Sequence, residues 1–249
     1  MCLLKCNPSI PTRFCRVYFN FFISVCIYIV YNFLVGHVFS INTTLLAFTG
    51  WESIGNSNWY IFTILVMYLI VYGIFNNDND LDKNLFRFTL VVVIYGLIIS
   101  RIKENFWVST VLCFPAGMIL KENENIISNF LNCKRRYILS ICVLLSLIFL
   151  IYSLFGYSWI VYNFISILFI LILIFLNKLY RLRNIVFIYI SKYTFEIYIY
   201  QRIFFDLFRN MFAGKNVAIY FVTSVILTII FSIVIKKTVD IMYRKLIGE

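Results

Sequence analysis

Long apolar runs alternate with short polar gaps from Val17 to Ile235. The runs fall at 17–38, 59–75, 86–100, 106–120, 137–154, 157–176, 185–205 and 217–235. A hydrocarbon core about 30 Å thick is crossed by roughly 20 apolar residues rising 1.5 Å each. The pattern therefore predicts an all-α, polytopic membrane bundle of about eight transmembrane helices, forming one integral-membrane domain over residues 1–249. The third and fourth runs are short and the connection 101–105 is tight, which predicts a hairpin of thin or re-entrant helices. Pro115 inside the fourth run removes a backbone hydrogen bond, which a membrane helix tolerates when neighbours satisfy the freed carbonyl.

The cations between these runs give the bundle a direction. One set of gaps holds Lys5, Arg13, Arg16, Lys83, Arg87, Lys121, Lys134, Arg135, Arg136, Lys178, Arg181, Arg183, Lys236, Lys237, Arg244 and Lys245, sixteen in all. The alternate gaps hold five: Arg101, Lys103, Arg202, Arg209 and Lys215. Cytoplasmic loops of membrane proteins are enriched in Lys and Arg, so the chain is expected to be multi-pass with both termini in the cytoplasm. The same distribution argues against nucleic acid as a partner for the net charge of +11, because the cations sit at span ends and not on a polar face. The bilayer and phosphate-bearing ligands remain as partners.

Composition agrees: 62% hydrophobic residues and a mean hydropathy of +0.90 exceed what a soluble domain of 249 residues can hide. Seven cysteines without a Cys-x-x-Cys pair read as small apolar residues in a reducing setting. A single histidine, His37, excludes a multi-imidazole site, and no metal site is predicted. The first run is long, and Gly36–Ser40 after it is no small-x-small cleavage site, so it is expected to be a retained span. Asp78, Asp80 and Asp82 lie in a polar loop that lacks the glycine and closing glutamate of a calcium loop.

Polar residues inside apolar spans carry the candidate chemistry, since each costs free energy unless paired or hydrated. On a continuous seventh helix, Ser191, Thr194, Tyr198, Gln201 and Arg202 would share a stripe, while Lys192 and Glu196 stand i,i+4 apart and are expected to pair. Such a helix either packs through interhelical hydrogen bonds or lines a polar cavity. Arg13 and Arg16 share one face ahead of the first span, suited to anchoring or to clamping a phosphate. Trp51, Glu52, Asn56, Asn58 and Trp59 form an aromatic and polar stretch that reads as an interfacial belt or a sugar contact.

Four stretches, in order, resemble acyltransferase family 3, integral-membrane O-acyltransferases of surface polysaccharides. They are TRFCRVYF (Thr12–Phe19, an Arg-x-x-Arg box), GNSNWYIFTILVMYLIVY (Gly55–Tyr72), FWVSTVLCFPAGMIL (Phe106–Leu120, a Phe-Pro-x-Gly-Met helix) and ISKYTFEIYIYQRIFFDLF (Ile190–Phe208). The last is the most specific, and the resemblance spans roughly residues 10 to 240. It implies acetyl transfer from acyl-CoA to a hydroxyl of a cell-envelope or capsular glycan, or a lipid-linked sugar, with no bound cofactor. Arg13 and Arg16 would hold the anionic donor. Trp51, Glu52, Asn56, Trp59, Ser191, Tyr198, Gln201 and Arg202 would line the acceptor route. Family members usually begin with two more spans, the first carrying a basic residue about ten positions before a catalytic His. Cys26 stands eleven before His37, and His37 follows the Arg-x-x-Arg box. The chain is therefore expected to lack those helices and their general base and to be truncated or inactive alone, being either completed by a separate upstream fragment or a remnant. Glu196 and Lys192 are the remaining acid/base candidates, and Gln201 stands where many members have a His.

Two other readings fit a basic polytopic chain. A non-catalytic transporter or flippase component for lipid-linked sugars would also carry polar stripes, but no pair of Gly/Pro-interrupted spans stands at matching positions in two halves. A polysaccharide polymerase would be expected to show more spans and a larger loop than residues 39–58 provide.

Overall fold

The computed structural model describes residues 9–76, 80–130, 134–156, 158–180, 184–211 and 217–247. Asp78 of the expected polar loop lies outside them. The elements are α1 (Ser9–Val35), α2 (Ile41–Phe48), α3 (Asn58–Phe75), α4 (Leu81–Ile102), a single 3-10 turn (Asn105–Trp107), α5 (Cys113–Glu122), α6 (Glu124–Phe130), α7 (Lys134–Phe155), α8 (Trp159–Tyr180), α9 (Ile185–Ser191), α10 (Thr194–Met211) and α11 (Val217–Ile247). No strand occurs among the described residues. Among the described residues, six stretches are long and apolar enough to cross a bilayer: Ile10–Val35, Asn58–Phe75, Leu81–Ile102, Lys134–Phe155, Trp159–Tyr180 and Val217–Leu246. The chain is an all-helical, polytopic membrane bundle.

Two of the eight predicted spans come out differently. The run 106–120 is not one helix but a 3-10 turn followed by α5, which is too short to cross the core. Pro115 therefore falls in the first turn of α5, where backbone N–H groups have no intrahelical acceptor in any case. The run 185–205 is broken at Lys192–Tyr193 into α9 and α10. Glu196, Arg202, Asp206 and Arg209 make α10 too charged to face lipid alone, and it packs along α11 instead.

The chain divides into two compact units, one spanning Val66–Leu182 and the other Pro8–Leu65 with Arg183–Glu249, the boundary falling inside α3. In the first unit, α7 pairs with α8, and α5 packs on both α4 and α8. Gly96 on α4 admits the Trp159 ring so closely that a Cβ there would sit 3.2 Å from it. Asn163 on α8 is fully buried. Its amide donates to the Val108 (2.6 Å) and Trp159 (2.9 Å) carbonyls and accepts from the Leu112 N–H (2.8 Å). One side chain thus satisfies the irregular backbone between the 3-10 turn and α5, as burial away from water requires.

In the second unit, α1, α10 and α11 pack together around Phe21, Val25, Tyr28, Ile199, Tyr200 and Ile203, with Ile61 and Leu65 from the start of α3. Helix α1 stops at Gly36, whose φ of +82° suits a residue without a Cβ. The His37 N–H then reaches the Asn32 carbonyl (2.9 Å) and the Gly36 N–H that of Phe33 (3.2 Å), a Schellman closure. Helix α2 starts at Ser40, whose hydroxyl caps the Thr43 N–H at 3.1 Å.

Candidate functional site

The polar side chains of the second unit form a line along α1. Arg16, Asn20, Ser24, Tyr28 and Asn32 recur every four residues, so they fall on one face of the helix. The Arg16 Nη2 donates to Asp240 Oδ1 on α11 at 2.6 Å. The Asn20 amide donates to Glu196 Oε1 on α10 at 2.9 Å. Tyr28 donates its hydroxyl to the Ile199 carbonyl at 2.8 Å, and Asn32 its amide to the Ile54 carbonyl at 2.7 Å. Ser24 returns its hydroxyl to the Phe21 carbonyl of its own helix. Apart from the half-buried Asn20 and the exposed Arg16, the line is buried.

Helix α11 presents a matching line in Ser224, Thr228, Ser232, Lys236 and Asp240, again four residues apart. The three hydroxyl residues are small and buried, which lets α10 approach closely. Below them the Lys236 ammonium donates to both oxygens of Glu196, at 3.2 and 3.3 Å, and stands 5.8 Å from the centre of the Tyr193 ring. Glu196 is only 1% exposed, so its charge is matched by Lys236 and Asn20 and not by water. The expected pairing of Lys192 with Glu196 is thereby overturned. Lys192 caps α9 and is exposed, the helix is interrupted after it, and the carboxylate is already taken from across the unit.

Arg13 and Arg16 both lie exposed on the first turns of α1, with Arg16 58% exposed despite its bond to Asp240. Tyr243 on α11 closes against this end, its ring 5.6 Å from Phe19 and its hydroxyl 3.4 Å from the Thr12 carbonyl it donates to. Helix α11 has 31 residues and so extends about 46 Å, longer than a hydrocarbon core of about 30 Å. Its last turns carry the exposed Lys237, Arg244 and Lys245 beside the two arginines' end of α1. The result is a strongly basic end.

At the other end of α1, the loop 49–57 is tied down by its own asparagines. Asn58 is buried and donates to the Gly50 (2.7 Å) and Glu52 (2.6 Å) carbonyls. The buried Asn56 accepts from the Ile54 N–H at 3.2 Å, and Ser53 donates to the Asn56 carbonyl at 2.6 Å. Arg202 reaches this loop, donating to the Gly55 carbonyl at 3.3 Å. Trp51 packs edge-on against Phe62, Trp59 against Tyr60, and Tyr60 against Tyr198. Glu52 and Gln201 are half-buried. Trp51, Trp59, Tyr198 and Arg202 are therefore brought to one loop and its flank. Ser191 is not: it belongs to α9, and its exposed hydroxyl turns back to the Ile188 carbonyl. The residues that sequence reasoning passed over are Asn20, Tyr28, Lys236 and Asp240. Their four-residue recurrence with Arg16 and the α11 hydroxyls was the available signal.

Several membrane-spanning helices, and within the second unit a buried ion pair between a basic end and a clamped aromatic loop, define a multi-pass membrane protein with polar groups buried in its helices. Residues 6–237 match the family model described as Acyltransferase domain, that of acyltransferase family 3, and the chain belongs to this family of membrane acyltransferases. No curated protein and no solved structure matches it.

Proposed function

We propose that the chain moves an acyl group, acetyl above all, from acyl-CoA to a hydroxyl of a cell-envelope or capsular glycan. The glycan oxygen attacks the thioester carbonyl and loses its proton, and CoA leaves as the thiol. Family membership supports the reaction class, and the exposed Arg13 and Arg16 at the basic end carry the donor assignment. Guanidinium groups one helical turn apart suit the phosphates of CoA, and Asp240 engages Arg16 through one nitrogen only. The sixteen-to-five partition of cations supports a cytoplasmic position for that end and both termini, on the side where acyl-CoA is available. The loop at the far end, with Trp51, Glu52, Trp59 and Tyr198, lies on the exoplasmic side and meets the glycan. Glu196 acts as a positioning residue: it holds α1 through Asn20, and its carboxylate is occupied by Lys236.

The test is transfer of labelled acetyl groups from acetyl-CoA to envelope glycan in membranes carrying the full chain. Arg13→Ala and Arg16→Ala should each raise KM for acetyl-CoA at least tenfold. An unchanged KM removes the arginines from donor binding. Movement of a labelled lipid-linked sugar across the bilayer, without acyl transfer, would favour the transporter reading instead.

A further inference from the structure

We infer that the Val66–Leu182 unit holds an anionic phospholipid, one acyl chain lying in a groove between α5–α6 and α8 and the headgroup resting on the lysines at its mouth. The groove encloses about 320 Å³ and is walled by Leu120, Ile127, Ile170, Leu171, Ile174 and Phe175. That volume falls at the lower end of small-molecule sites, about 300–1,000 Å³. Gly117 on its exposed lining carries no side chain, and a Cβ built there meets nothing within 4 Å, so a larger side chain at this position has room to enter the groove. An apolar slot of this kind suits a hydrocarbon chain.

The mouth sets the headgroup. Lys178 stands in the last turn of α8, where that span ends, and Lys121 and Glu124 lie level with it. Lys121 bonds Glu124 at 2.6 Å, and Lys178 approaches the other oxygen at 3.7 Å. The hydrogen bond from Lys121 holds the Glu124 carboxyl below its usual range, so it stays ionised and cancels only one of the two ammonium charges. Tyr137 packs edge-on against Phe175 at 5.9 Å, which brings the start of α7 beside the groove wall. That turn carries Lys134, Arg135 and Arg136, all exposed. An apolar slot ending under an excess of cations at a span boundary matches a lipid with a negative headgroup, and basic pockets between membrane helices bind such headgroups. A zwitterionic lipid would leave the excess charge unmatched.

The experiment is native mass spectrometry of the full chain released from detergent after exchange with equimolar phosphatidylglycerol and phosphatidylethanolamine. The expected result is one retained phosphatidylglycerol, preferred at least tenfold. Lys121→Gln with Lys178→Gln should abolish the preference. Gly117→Phe, which fills the slot and leaves every cation in place, should abolish retention. Equal retention of both lipids by the unaltered chain overturns the inference. So does phosphatidylglycerol held undiminished by Gly117→Phe, since the headgroup would then be binding without the groove.

Discussion

Replacing Lys236 by Met should damage this protein more than replacing its partner Glu196 by Gln. Both changes break the same ion pair, but they leave different groups behind. In Lys236→Met the Glu196 carboxylate, 1% exposed, keeps only the Asn20 amide and has no route to water. Stranding a buried charge in this way costs about 3–5 kcal/mol. In Glu196→Gln the amide oxygen still accepts from Asn20 and Lys236. The lysine side chain is 27% exposed, so its ammonium can extend to the interface on its apolar stem. That change should cost about 1–2 kcal/mol, the order of a hydrogen bond losing its charge. At roughly 2–4 °C per kcal/mol for a chain of this size, the midpoints fall by about 6–20 °C and about 2–8 °C respectively. Thermal unfolding of the full chain, followed by circular dichroism in one detergent, gives both values. The double variant should recover part of the Lys236→Met loss, because no charge is then left unpaired. If Lys236→Met is as mild as Glu196→Gln, or the double variant is no better than Lys236→Met, the carboxylate is not held as described.

Three further outcomes rest on local geometry. Asn58→Leu leaves the Gly50 and Glu52 carbonyls without their donor and should cost about 1–3 kcal/mol, read as faster amide exchange across residues 49–57. Asn163→Leu should cost a similar 1–3 kcal/mol or more and should remove protection from the Leu112 amide first, since that N–H loses its acceptor. At Gly96, Ala should be nearly neutral, its gain in helix propensity of about 1 kcal/mol offsetting a 3.2 Å approach to Trp159. Leu at the same position should lower stability by about 1–3 kcal/mol through overpacking, measured by thermal midpoint.

Most of the helical architecture could be read from the apolar runs because lipid imposes one rule on every span. A run of the right length with no charge must be a helix, and α7 and α8 begin and end within a few residues of expectation. That rule fails where protein, not lipid, surrounds the backbone. Asn163 supplies the hydrogen bonds that let residues 108–112 leave the helix, so an apolar run there did not mean a span. Lys192 and Tyr193 break the seventh run, and no Pro or Gly in the sequence marks the place. The site was legible in its residue types but not in its pairings. Glu196 stood out as a charge in an apolar stretch, whereas its true partner lies 40 residues away on α11. An i,i+4 neighbour is a natural guess only while the helix is continuous.

Lipid tails are as apolar as the helix surfaces they cover, so hydrophobic contact alone does not fix how far one span slides along another. The lines of polar residues on α1 and α11 supply what it lacks. From Arg16 to Asn32, α1 rises about 24 Å, most of a hydrocarbon core of about 30 Å. Bonds to Asp240, Glu196, Ile199 and Ile54 are spread over that length. A shift of one turn would replace Asn20 by Arg16 or Ser24 opposite Glu196 and take Tyr28 and Asn32 away from the Ile199 and Ile54 carbonyls, exchanging four matched bonds for mismatched ones in a buried setting. The register of α1 is therefore discrete. Its two ends cannot be adjusted independently: whatever holds Asn32 against the loop at one end also decides where Arg13 and Arg16 stand at the other. A residue such as Tyr28, far from either end, belongs to the site on that account, through the one helix on which the whole line is carried.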